Sequence, residues 1–135
     1  MDAGRLDPRH VLRLYDRLGT GEIRVAFFRL VPALCAHLRL TPISVSRGAY
    51  SAIHIATKPD AKAYAEAEFA FKGALDHMRW WFRTPAFSSG LLDHDRTADA
   101  FGLVGATRYG EMIVDLRNLA DVEKMLCYLD AALRQ

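Results

Sequence analysis

Apolar residues recur at helical spacing in the early part of the chain, then give way to short β-branched runs. In LDPRHVLRLYDRLG, Val11, Leu14, Tyr15 and Leu18 share one helical face. Asp7 is placed to cap that helix, Pro8 suits its first position, and Gly19 stops it. In TGEIRVAFFRLVPALCAHLRL, Thr20 is the expected cap, and Ile23, Ala26, Phe27, Leu30, Val31, Leu34 and Leu38 fall on one face. Pro32 lacks a backbone donor and clashes with the preceding turn, so a kink or two shorter pieces are expected there. The rival reading makes residues 22–31 a strand; the helix is preferred.

Pro42 ends that element. PISVS and AYSAIHIAT, separated by Arg47-Gly48, read as a hairpin, with Ile53 and Ile55 on one side and Tyr50, Ala52, His54 and Ala56 on the other. Pro59-Asp60 opens what the pattern predicts to be the longest helix, running to about Arg83 before Thr84-Pro85. Residues 87–97 read as loop or weak edge strand. FGLVGAT and EMIVDLR flank Arg108-Tyr109-Gly110 as a second hairpin. Asn118 caps a last helix with Leu119, Val122, Leu126, Leu129 and Leu133 inward. The order α-α-β-β-α-β-β-α predicts an α+β fold: one domain over 1–135, with a small antiparallel sheet of two hairpins packed by helices.

The predicted long helix poses the sharpest question, because Trp80 and Trp81 cannot share one of its faces. Tyr64, Ala67, Phe71, Ala74, Leu75, Met78, Trp81 and Phe82 gather into a core stripe. Phe69, Gly73 and Trp80 form a second, narrower stripe, flanked by Lys62 and Asp76, and with Arg79 they are the interface or ligand candidates. Either the helix is sandwiched, or the second stripe is a dimer seam or the wall of a ligand pocket. Tryptophan is common at interface hot spots, and Gly73 would admit another backbone.

Composition bounds the function. Half of the residues are hydrophobic and a quarter charged, as in ordinary globular domains, and no apolar run is long enough for a membrane span. The N-terminal MDAGRLDPRH has no apolar core of a secretory signal, so the expected location is the cytoplasm. Cys35 and Cys127 lie among leucines in predicted helices and read as core residues, with no metal-ligand spacing. The net charge of +2 is uneven: residues 1–50 hold eight arginines against four acids. Arg5, Arg9, Arg13 and Arg17 recur every four residues, a stripe suited to phosphates or an acidic partner. The whole domain is less basic than dedicated nucleic-acid binders, which makes nucleic acid an unlikely partner.

Candidate chemistry is thin. His94 sits between Asp93 and Asp95, but without the spacing of a metal site, and a solvated acidic turn is the better reading. His54, on the small-residue face of a strand, and His77, off the core stripe, could line a cleft with it. No phosphate-cradling loop, nucleophile elbow or zinc-ligand pattern is present. The sequence therefore points to a non-enzymatic binding module for a protein or small ligand, acting as a homodimer, with no cofactor or metal. The alternative is a small enzyme using His54, His77 or His94 with Asp95 in acid–base chemistry.

Overall fold

A computed structural model describes residues 6–19, 21–44, 52–102, 105–107 and 109–134. Arg5, Thr20, Arg47-Gly48, Tyr50 and Arg108, all used above, lie outside the described residues. The elements run α1 (Pro8–Asp16), α2 (Glu22–Ala36), β1 (Thr41–Ser44), β2 (Ile53–Ala56), α3 (Ala63–Glu66), β3 (Phe69–Gly73), β4 (Met78–Phe82), α4 (Thr84–Ser88), α5 (His94–Phe101), β5 (Gly105–Ala106), β6 (Met112–Leu116) and α6 (Leu119–Leu133). Among the described residues six antiparallel strands lie in the order β1-β2-β3-β4-β6-β5. The fold is α+β.

Several local expectations are met. Asp7 caps α1 by accepting from Arg9 N–H, with Pro8 in the first turn. Residues 22–31 are helix, and α2 continues through Pro32 instead of breaking into two pieces. Both expected hairpins form, β1–β2 and β5–β6. Asn118 caps α6 by accepting from Asp121 N–H, and Val122, Leu126, Leu129 and Leu133 are buried, whereas Leu119, expected inward with them, is exposed at the start of the helix. Leu38 lies past the end of α2 and is fully exposed instead of inward.

The long helix is not there. Only Ala63–Glu66 is helical, and Phe69–Phe82 forms a third hairpin in the middle of the sheet. Phe69, Phe71 and Gly73 alternate along β3 as Met78, Trp80 and Phe82 do along β4, so each set projects from one face. Cross-strand pairing puts Phe69 opposite Phe82, Phe71 opposite Trp80 and Gly73 opposite Met78. Ladder pairing of whole aromatic faces outweighs the helix propensity of the Ala, Glu and Lys residues before Phe69.

This hairpin reverses the two tryptophans. Trp80 is fully buried, stacked 6.0 Å from Phe71 with rings 12° apart, and Phe69 and Phe82 adjoin it. Trp81 points to the other sheet face and is partly exposed. The expected interface stripe of Phe69, Gly73 and Trp80 is therefore core. Another backbone does approach Gly73, but it belongs to α1: a Cβ there would lie 3.0 Å from the Leu14 carbonyl oxygen. Helices α1, α2 and α6 contribute Leu14, Ile23, Phe27, Leu30, Leu34, Val122, Met125 and Leu129 to the same core, with Leu18 from just past α1.

Two more expectations change. Residues 87–97 include the end of α4 and the start of α5, where Asp93 caps α5 by accepting from Arg96 N–H. Cys35 and Cys127 are exposed, because each falls on the outward side of its helix. Trp80→Ala should lower unfolding stability by about 3–5 kcal/mol, as large aromatic truncations in cores do. Trp81→Ala should lower it by about 1 kcal/mol or less. Equilibrium urea unfolding of both variants checks this order, and equal losses would contradict it.

Candidate functional site

With helices on one face, the other sheet face carries the remaining side chains of each strand. Register sets them in rows: His54, Ala70, Trp81 and Ile113 lie in line across β2, β3, β4 and β6. Lys72, Arg79 and Asp115 form a neighbouring row. At the β1–β2 end this face is covered, with Ile43, Ala56, Ala61 and Ala67 packed as a small separate core. Trp81 and Ile113 are partly exposed at its middle, and the Lys72 ammonium lies 5.6 Å from the Trp81 ring centre.

Charges on this face occur in pairs. Arg79 Nε donates to Asp115 at 3.1 Å, and His77 Nε2 and Arg117 approach the same carboxylate at 3.7 and 3.6 Å. Asp76 accepts from His77 at 2.7 Å and lies 3.5 Å from Arg117. The His77 hydrogen bond, helped by the charges of His77 and Arg117, holds the Asp76 carboxyl below its usual pKa. At the other end Arg83 lies 3.6 Å from Glu111, and Glu68 accepts from Thr57 N–H and hydroxyl. Arg79, singled out from the sequence, thus belongs to an ion-pair network beside Trp81.

The three candidate histidines do not meet. His77 precedes β4, whereas His94 lies beyond its far end, stacked 3.8 Å from the Phe87 ring and within 2.9 Å of the Gly110 carbonyl oxygen. Five strand residues separate these sites, roughly 15 Å of chain. His54 is two strands away on β2. Asp95 is exposed in the first turn of α5, and Asp93 is occupied as its cap. Among the described residues no group of three or more His, Cys, Asp or Glu side chains could hold a metal ion.

Of the arginine stripe, Arg9 is bound to its own cap residue Asp7 at 3.2 Å, and Arg13 and Arg17 are exposed on α1. A groove of about 550 Å³ lies between the end of α2 and the β2–α3 connection, lined by Cys35, His37, Leu38, Arg39 and Thr57. Although Cys35 is exposed, partial desolvation by its neighbours raises the thiol pKa, the reverse of nucleophile activation. A second groove, about 400 Å³, borders the open face at Arg79, Ile113, Asp115 and Arg117. Neither groove is lined by His54, His77 or His94.

Sequence reasoning missed Trp81, Lys72 and Ile113 as a surface set. Alternation in FAFKG and MRWWF was the signal that could have found them. Comparison of the chain with protein-family models, curated proteins and solved structures finds no match in any of the three. No helix among the described residues is long and apolar enough to cross a membrane.

His54 is 6% exposed, and its pKa is lowered to about 4 by burial first, then by the charges of Arg83 and His10. Protonation therefore favours the unfolded chain, where a histidine titrates near 6.5. The associated stability is complete above that value and lost as pH falls toward 4. Between pH 7.5 and 5 it should cost about 2 kcal/mol. His54→Gln should remove that part of the slope in urea unfolding; an unchanged slope would contradict it.

Proposed function

We propose that the chain is a non-enzymatic binding module that acts as a homodimer, using the open sheet face around Trp81 to hold a protein or small ligand. The observation that carries this reading is the placement of Trp81 and Ile113. A tryptophan left partly exposed mid-sheet offers a large rigid contact, and the ion pairs around it form a polar rim. The acids on this face, Asp115, Glu111 and Glu68, are each engaged by a basic or hydroxyl partner, an arrangement suited to contact more than to proton transfer. No observation favours the alternative of a histidine-based enzyme over this reading.

The test is affinity capture on immobilised protein, comparing wild type with Trp81→Glu. A species retained by wild type should be lost from Trp81→Glu, while far-UV dichroism and unfolding midpoint stay nearly unchanged. Equal retention by both would overturn the assignment of this face. A hydrolase or isomerase activity lost in His94→Ala or His54→Gln would favour the enzyme instead.

A further inference from the structure

We propose that the groove lined by Glu68, at the end of the sheet where β3 begins, binds a small zwitterion: an aliphatic ammonium–carboxylate compound of amino-acid size. Trp81 does not line this groove, so the proposal stands apart from the reading above. The groove, about 430 Å³, lies between the β2–α3 connection, the α4–α5 connection and the last turn of α6. That volume falls within the range of small-molecule sites. Glu68 lines it yet is only 8% exposed. One carboxylate oxygen accepts from the Thr57 N–H at 3.0 Å, the other from the Thr57 hydroxyl at 2.5 Å. A carboxylate can accept about four hydrogen bonds, so each oxygen keeps a lone pair open. A buried carboxylate is ordinarily matched by a cation. Arg83, just past β4, gives its backbone N–H to the Glu68 carbonyl but directs its guanidinium to the Ala67 carbonyl and to Glu111. Among the described residues Glu68 has no ion-pair partner.

The rest of the lining selects the ligand. Arg39, past the end of α2, and Lys58, past β2, are exposed, and among the described residues neither has a carboxylate partner. Leu91 and Ala132 are half-buried and give the groove an apolar wall. A ligand of one charge leaves part of this arrangement unmatched. A simple amine would neutralise Glu68 and then face two cations, whereas a simple anion would pair with Arg39 and Lys58 and face a buried carboxylate. A zwitterion answers both. Its ammonium donates to the open lone pairs of Glu68, its carboxylate accepts from Arg39 and Lys58, and its aliphatic part covers Leu91 and Ala132. The pairing at Glu68 is shielded from water, while that at the exposed cations is weakened by solvent and salt. Glu68 therefore supplies the larger share of the affinity.

Titration calorimetry on the full chain tests this with L-leucine, γ-aminobutyrate and ε-aminocaproate, zwitterions of increasing charge separation. At least one should bind saturably at millimolar concentration or below, and raise the unfolding midpoint by mass action. The amine lacking its carboxylate and the acid lacking its ammonium (isoamylamine and isocaproate, for L-leucine) should each bind at least roughly tenfold more weakly. Glu68→Gln, which keeps an oxygen for the Thr57 N–H, should weaken the zwitterion at least roughly tenfold. The double variant Arg39→Ala/Lys58→Ala changes only exposed side chains; it should weaken binding by less, with an unchanged unfolding midpoint, and it carries the test if Glu68→Gln fails to fold. No saturable binding by any of the three zwitterions overturns the proposal. An amine that binds as tightly as its zwitterion makes the groove a cation site, and an acid that does so makes it an anion site; either result overturns the zwitterion. Zwitterion binding that survives both variants lies elsewhere and overturns this groove.

Discussion

Phe71 and Trp80 stack nearly parallel across the central hairpin, with Phe69 tilted and Phe82 edge-on against the same indole. Four large rings on one face of two short strands cannot be left in water. Burying each is worth on the order of 2–3 kcal/mol, and the whole layer needs a cover of matching width. Helices α1, α2 and α6 provide it. Gly73 lets the α1 backbone reach the end of the hairpin, and Gly19 N–H donates to the Leu75 carbonyl across the same corner at 2.7 Å. Outward from this layer, Phe101 and Tyr128 extend the ring contacts from Phe82 into α5 and α6.

The same constraint divides the molecule's surfaces. Because Trp80 faces in, its neighbour must face out, and Trp81 comes to stand beside Ile113 among paired charges. Because the covering helices lie in one layer, Val25 and Phe28 on the outward side of α2 remain exposed. The sheet also keeps the histidines apart, with His77 and His94 at opposite ends of β4 and His54 two strands away. Contact surfaces, more than a convergent set of reactive groups, are what this arrangement offers.

Legibility in the sequence followed the density of local signals. The caps at Asp7 and Asn118, the helical period of α1, α2 and α6 and the β-branched run of β2 are local, and the structure has them. The segment from Ala61 to Phe82 mixes signals: Ala, Glu and Lys favour helix before Phe69, whereas FAFKG and MRWWF alternate with period two. The connection Ala74–His77, closed by an Ala74 N–H bond to the His77 carbonyl, carries little turn chemistry beyond Gly73 and Asp76. That misassignment moved Trp80 outward and Trp81 inward, and with them the expected interface. The close approach expected at Gly73 was legible, but the identity of the approaching backbone was not, because it depends on tertiary packing. The cysteines were misplaced since a leucine-rich helix need not bury its whole circumference.

The opposite placement of adjacent tryptophans is the claim on which both surfaces depend. Acrylamide quenching of the two single-tryptophan proteins, Trp81→Phe and Trp80→Phe, reads it directly. Trp80 alone should emit at short wavelength and be shielded from quencher, whereas Trp81 alone should emit further to the red and be quenched readily. Equal quenching of the two, or a shielded Trp81 beside an accessible Trp80, would contradict the hairpin and restore the long helix.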